Sequence, residues 1–540
     1  MDIDNILTEL GEFGKYQIGV YVLLFFPLVF GSLGSLTYVF TAGDIDYRCK
    51  VPACETNITS YDNPWLSNAL PFKDGKLKSH CLRYKSSNDS YHQKCTKDIF
   101  LKDQVEECHS FVFKNNEITI VNEFNLFCEE NEWKRTSVGT IHNIGEFIGM
   151  PLAGLFSDRF GRKTLIITTV LCSSIFGTIR SFTFNYIQFL VLEIADAIAL
   201  SGIYIGIFVL GIEITGPSKR GLGGAILSCY YSIGEIMLGL IVWLEDDWRK
   251  FLRIIYIPGF IFVIYFWILP ESVRWLVSHG KTEKAKQIFE RISSVNKKSI
   301  DENVRKGIEQ LQTGVQTLIE DSENVINNED SKFKPDKKIY QSKTMILRIL
   351  NCSFCWATNA FVYYGLSLYS VVIGGNKYFN FILVSFVEIP GYALSPFIIN
   401  KFGRRVPLAL ALILSGSACF LFHFLPADYQ TLSLVLFLLG KCSITVSFAS
   451  LYVSATEYFP TTMRHSLMAF CSTLGRVGSI IAPQMPLLSG YIDPLLIFGT
   501  ISFISGGLSF YFPETLNCKL PDTIEEAENI GKKTDGKTLK

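Results

Sequence analysis

Asp158-Arg159-Phe160-Gly161-Arg162-Lys163 lies between two apolar stretches, and a worn copy, Asn400-Lys401-Phe402-Gly403-Arg404-Arg405, returns in the second half of the chain. A basic turn at the same relative place in two halves of a hydrophobic chain marks an internal duplication. Duplicated membrane chains are the build of many carriers.

Working outward from the first turn, apolar windows of about 20 residues fall at Tyr16–Thr41, Thr136–Phe156, Thr164–Phe184, Ile187–Ile212, Leu222–Leu244 and Phe251–Leu269. Around the second turn fall Leu347–Tyr369, Phe379–Ile399, Val406–Leu425, Thr431–Tyr452, Leu467–Leu488 and Tyr491–Phe512. The pattern predicts an all-α membrane protein of twelve transmembrane helices in two six-helix bundles. Residues 16–269 form the first bundle, 270–342 a central loop, 343–512 the second bundle and 513–540 a tail. Residues 1–15 form an amphipathic start, with Ile3, Ile6, Leu7 and Leu10 at helical spacing and none of the basic opening of a secretory signal.

The bulk numbers agree. The 540 residues are 49% hydrophobic and 19% charged, whereas a soluble chain carries about a quarter charged residues. The formal net charge is zero, and no basic patch interleaved with aromatics speaks for a nucleic-acid partner. Cations gather in the short loops after windows two, four, eight and ten: Arg159, Arg162, Lys163, Lys219, Arg220, Lys401, Arg404, Arg405 and Arg464. The positive-inside rule therefore places both termini and the central loop in the cytoplasm. It puts residues 44–135 outside, as a large extracellular loop after helix one.

That loop holds Cys49, Cys54, Cys81, Cys95, Cys108 and Cys128, six of the 14 cysteines, and sequons at Asn57 and Asn88. An even set of cysteines in an exported loop reads as a disulfide framework whose pairing the sequence leaves open. Glycosylatable asparagines serve only on the exported side. The remaining cysteines lack metal-ligand spacing, so no metal is expected. In the central loop, Lys281–Ile292 and Ile300–Leu318 read as amphipathic helices, and 320–338 reads as a flexible polar stretch, as does the tail beyond Pro513.

Several runs together carry a resemblance. They are Leu10-Gly11-Glu12-Phe13-Gly14-Lys15 before helix one, the Asp158 turn, Pro270-Glu271-Ser272-Val273-Arg274-Trp275 after helix six, and Tyr363-Tyr364-Gly365-Leu366-Ser367 in helix seven. To these add Glu457-Tyr458-Phe459-Pro460 after helix ten, Arg476-Val477-Gly478-Ser479-Ile480 in helix eleven, and Pro513-Glu514-Thr515. With the cysteine-rich loop, they make the chain resemble the organic cation, organic anion and carnitine transporter branch (solute carrier family 22) of the major facilitator superfamily. Val273 departs from the usual proline, and Asn400 from the usual aspartate.

Ionisable residues at membrane depth are functional candidates because their burial costs several kcal/mol. The chain offers Glu146, Arg180, Glu193, Asp196, Glu235, Glu388, Lys441 and Arg476. Glu388 and Arg476 fall mid-window and are expected in a central cavity. Arg180 and Glu193 lie near the outer ends of their helices, where snorkelling is open to them. The resemblance implies cavity positions for Trp356, Tyr363 and Phe448. It also makes Arg476 the position where anion and carnitine carriers tend to have arginine, and Glu388 a glutamate tied to cation handling. A fixed cation and a fixed anion in one pocket suit a substrate bearing both charges, and aromatic faces suit its ammonium. The alternative is that Arg476 and Glu388 pair with each other.

Gating is expected of the basic turns. Asp158 would pair with cations of the adjoining bundle and accept helix-terminal N–H bonds, while Arg159 and Arg162 would reach Glu213, Glu271 or Glu457, and Arg404 of the second turn is a further gating candidate. Gly154 and Gly161 would permit close approach and a tight turn. The reading is thus a plasma-membrane carrier of a small organic cation or zwitterion, in contact with lipid, needing no cofactor, and driven by potential, a coupling ion (Na+ or H+) or an exchange substrate. An organic-anion exchanger built on Arg476 is the alternative, and a non-transporting sensor a weaker one. Nothing has the layout of an enzyme's site: there is no phosphate loop, zinc spacing or nucleophile elbow.

Overall fold

A computed structural model describes residues 3–55, 60–73, 76–77, 79–87, 95–298, 342–426, 429–460, 463–516, 518, 521 and 523–530. Each of the twelve windows contains a helix. In the first half these are α1 (Lys15–Ser35, extended by Tyr38–Thr41), α2 (Glu129–Phe160), α3 (Arg162–Arg180), α4 (Tyr186–Glu213), α5 (Arg220–Leu244) and α6 (Trp248–Tyr256). The second half has α7 (Lys343–Tyr369), α8 (Lys377–Phe402), α9 (Arg405–Phe424), α10 (Gln430–Tyr458), α11 (Arg464–Ile481) and α12 (Pro494–Ser509). Ten spans among the described residues are long and apolar enough to cross a membrane. The other two are α2, whose ends are charged, and α12, which has 16 residues.

Side-chain caps begin many of these helices. Asn185, Asp247, Ser342, Asn376 and Asp493 each accept a first-turn N–H. Window six is not one helix, contrary to expectation. After α6 the chain tightens into a 3-10 stretch, Ile257–Ile264, then resumes as Tyr265–Ile268. Pro258 removes an N–H there, and Gly259 lies against Ser174 and Phe30, where a side chain would collide. Window eleven likewise ends in a 3-10 turn, Ala482–Leu488, which carries Pro483 and Pro486.

The segment between α1 and α2 adds a small β element that the all-α reading missed. Three two-stranded antiparallel ladders form: Tyr47–Cys49 with Phe111–Phe113, Phe72–Lys73 with Lys76–Leu77, and Leu82–Ser86 with Phe100–Glu107. Disulfides join Cys49 to Cys108, Cys54 to Cys95 and Cys81 to Cys128, around a core of Val51, Leu66, Leu70 and Phe100. Asn57 and Asn88 lie outside the described residues, as do the expected helix 300–318 and the polar stretch 320–338.

On the opposite face the helix Ile3–Leu10 buries Ile3, Ile6, Leu7 and Leu10. Its Asp4 meets Arg220 at 2.5 Å and also pairs with Arg274. The expected Lys281 helix runs Thr282–Asn296, and Asn296 accepts the Tyr16 N–H at 2.9 Å. The described part of the tail contains a helix, Ile524–Asn529, that offers the Ala527 carbonyl to Arg348 at 2.8 Å.

Candidate functional site

The two basic turns have the same construction. Gly161 sits at φ +96° and Gly403 at φ +89°, a region open to glycine at little cost. A side chain at either would strike a carboxylate, Glu271 or Glu514 respectively. Glu271 accepts the backbone N–H of Arg162 at 2.9 Å and of Lys163 at 3.2 Å; Glu514 does the same for Arg404 at 2.8 Å and Arg405 at 3.2 Å. Each carboxylate thereby caps the unsatisfied N–H groups and positive dipole of a helix start. The guanidinium then pairs with the end of a neighbouring helix, Arg162 with Glu213 at 3.1 Å and Arg404 with Glu457 at 3.0 Å. Burial pushes the Glu271 carboxyl up against three backbone N–H groups. At Glu514 burial opposes, but the N–H groups of Arg404, Leu516, Arg405 and Thr515 together hold the carboxyl below its ordinary value.

Some expected gate contacts are absent from this conformation. Among the described residues Asp158 pairs only with its own turn's Arg162, at 3.2 Å, and its side chain is 77% exposed. Arg159 lies over the Phe160 ring rather than on a carboxylate. Gly154 faces open space and brings no helix close. Trp275, from the Glu271 run, donates to the Asp158 carbonyl at 2.8 Å and pins the turn from below. The sequence reading gives Glu514 no gating role, although Pro513-Glu514-Thr515 mirrors Pro270-Glu271-Ser272.

Between the halves lies a cavity of about 80 Å³. Arg476 and Glu146 line it together and pair at 2.7 Å, with Tyr364 accepting from the same guanidinium at 3.3 Å. Tyr363 and Phe448 also form its wall, along with Tyr204, Tyr231, Tyr392 and Tyr452. Trp356 stands behind that wall, edge-on to Tyr452 at 4.5 Å and to Phe448 at 5.6 Å. Glu388 is not in the wall and does not pair with Arg476. It is fully buried against Lys441 at 2.9 Å, and accepts from Tyr363 and Ser232 at 2.8 Å each. The opposite-sign pair of the cavity is therefore Arg476 with Glu146, one from each half.

Behind Glu146 runs a dry chain of charges. His142 lies 3.9 Å from Glu146 and, one turn before it on α2, directs its Nδ1–H to Glu193 at 2.8 Å. Glu193 pairs with Arg180, which also meets Asp196 at 3.4 Å; Ser173 and Tyr256 donate to Asp196 at 2.6 and 2.5 Å. Arg180 and Glu193 do not snorkel, because both are wholly buried. Thr37 and the rings of Phe189 and Tyr256 enclose the guanidinium, although the neighbouring residues at these helix ends are exposed. His142 was missed by the sequence reading; its i, i+4 spacing to Glu146 was the available signal.

Polar links tie the two halves at the middle and toward the disulfide-bearing face. There Thr136 and Gln484 meet at 3.0 Å, Lys377 and Glu117 at 2.5 Å, and Tyr378 and Asp246 at 3.2 Å. At the opposite face Asp158, Arg159 and Lys401 stand exposed.

Comparison with known proteins agrees with this architecture. The family described as "Sugar (and other) transporter" matches residues 90–516. The organic cation transporter protein of Drosophila melanogaster is 30% identical over 542 residues, covering 99% of this chain and 96% of that relative. Human organic cation/carnitine transporter 2 is 29% identical, over 97% and 94%. The inward-open structure of the xylose transporter XylE from E. coli superposes with a TM-score of 0.59 at 17% identity, covering 76% of this chain and 92% of that one. The chain thus has the major facilitator fold and is a membrane transporter rather than an enzyme, and it belongs to the organic cation, anion and carnitine transporter branch, solute carrier family 22, of that superfamily.

Proposed function

We propose that this carrier moves small organic cations or zwitterions, of a betaine, carnitine or amine-derived kind, across the plasma membrane by alternating access. The observation that carries the reading is the Arg476–Glu146 pair in the cavity wall. A substrate with a carboxylate and an ammonium replaces each partner with one of its own groups, so neither fixed charge is left unpaired after desolvation. Tyrosine faces around the pair add about 0.5–2 kcal/mol each for an ammonium. Names of relatives point the same way, with cations and carnitine both represented.

A second reading, exchange of organic anions on Arg476, draws support from the withdrawal of Glu388 from the cavity wall. Radiotracer uptake of carnitine, tetraethylammonium and glutarate in one cell line decides. Carnitine or tetraethylammonium uptake above mock-transfected cells is expected, and glutarate uptake alone would overturn the first reading.

The positive-inside bias puts the basic turns in the cytoplasm. With the halves clasped at the disulfide face and middle, the molecule is then inward-facing. The exposed Asp158 has its cross-bundle partner only in the opposite state, when the basic faces close. Asp158→Ala therefore loses about 0–1 kcal/mol of stability at this exposed pair, so surface expression is expected to hold while uptake falls severalfold. Biotinylation beside tracer uptake measures both, and normal uptake refutes the gating role.

A further inference from the structure

The cavity pair leaves a second buried charge cluster without a function. Glu235 on α5 comes from the first half, and Glu388 on α8 and Lys441 on α10 from the second. All three side chains are almost wholly buried, Glu235 at 1% exposure. Glu388 is served by Tyr363, Ser232 and the Lys441 ammonium, which also donates to Ser367 at 2.7 Å and the Tyr363 carbonyl at 3.1 Å. Among the described residues neither carboxyl oxygen of Glu235 has a partner at full hydrogen-bond geometry, and its nearest polar neighbours are the Ser385 hydroxyl and the Glu388 carboxyl. Two carboxyl groups thus share one ammonium in a dry contact between the halves, and the charges balance only if one more positive charge is held there.

We propose that Glu235 is a proton-binding site that couples transport to proton movement. The step is a transfer of H+ from hydronium to a Glu235 carboxylate oxygen, giving a neutral carboxylic acid and water, and its reverse on the other side of the membrane. A proton fits better than a metal ion. The site offers two carboxyl groups beside an ammonium that repels cations, and the described residues hold no cluster of metal-ligand type.

The site's position supplies the coupling. With Glu235 neutral, α5 packs on α8 and Ser232 of α5 donates to Glu388 across the seam. Without the proton, two carboxylates from opposite halves face each other in low dielectric, and the seam is pushed apart. The charged and titratable groups facing Glu235 are Glu388 and Tyr392 on α8, Lys441 on α10, Tyr363 and Tyr364 on α7, and Tyr231 on its own helix. Tyr231, Tyr363, Tyr364 and Tyr392 also line the cavity, so its water is the adjacent proton source.

The inference rests on the chain being a carrier and not on which organic ion it carries. Purified full-length protein in liposomes, with an imposed pH gradient, tests it through uptake of labelled carnitine and of tetraethylammonium. The ratio of gradient-driven uptake to tracer exchange is expected to fall several-fold in Glu235→Gln. An unchanged ratio, or stimulation of the wild type by Na+ gradients and not by pH gradients, would overturn the site. Difference infrared spectroscopy without substrate is the second arm. At neutral pH the wild type should show a buried carboxylic-acid carbonyl band that shifts in D2O and is lost in Glu235→Gln. A missing band in the wild type, or one retained in the variant, refutes the proposal. Should neither tracer be carried, the substrate reading fails and the infrared result alone decides the proton site.

Discussion

Arg476→Asp is expected to lower carnitine uptake and raise uptake of tetraethylammonium relative to it, changing their ratio about ten- to a hundredfold. The size follows from the bond removed. Hydrogen bonds to charged groups contribute about 1.5–3 kcal/mol, and about 1.4 kcal/mol is a factor of ten. In the wild type the guanidinium is the cavity's cation, held at 2.7 Å by Glu146 and at 3.3 Å by Tyr364. Exchanging it for a carboxylate leaves a zwitterion's acid group without a partner and facing repulsion. A plain cation meets two anions instead of a compensated pair. The half of the wall formed by Tyr204, Tyr231 and Tyr392 stays in place. Equal loss for both tracers at normal surface expression would mean that Arg476 holds the two halves together and does not touch substrate. Glu146→Gln gives the converse test, because it frees the guanidinium and should favour glutarate.

How far the site could be read from sequence depended on which coordinate was needed. Apolar windows and the repeated basic turn determine depth and topology, so all twelve helices, the Arg162 and Arg404 turns and the Arg476 position were visible. Rotation about each helix axis was not. Glu388 and Arg476 both fall at mid-depth, yet one turns into the α5–α8–α10 packing and the other into the cavity. Glu146 was visible as an intramembrane charge, but its partner lies on a helix of the other half, which no local pattern encodes. The disulfide pairing was hidden for a related reason, since it depends on the path of the chain between cysteines. The break after Tyr256 is legible, because Pro258-Gly259 stands inside the window, although hydropathy alone runs straight through it.

Arg180→Ala is expected to have the largest effect on stability, for a reason separate from substrate. Arg180 is the one cation described on two wholly buried carboxylates, Glu193 and Asp196, and its guanidinium also packs over the rings of Phe189 and Tyr256. Truncation leaves those carboxylates in a dry site with only hydroxyl donors and His142. Breaking a buried pair in this way costs about 3–5 kcal/mol. Removing both charges and filling the space is far milder, because the desolvation cost goes as well. Arg180→Met combined with Glu193→Gln should therefore recover part of the folded yield lost in the single variant, because one of the two orphaned carboxylates is gone and Asp196, though without its cation, is still bonded by Ser173 and Tyr256. Thermal unfolding in detergent, followed by monodispersity on size exclusion, measures both variants. If the double variant is no better than Arg180→Ala, the loss comes from ring packing rather than charge. Recovery would show that this chain of charges is held by mutual compensation.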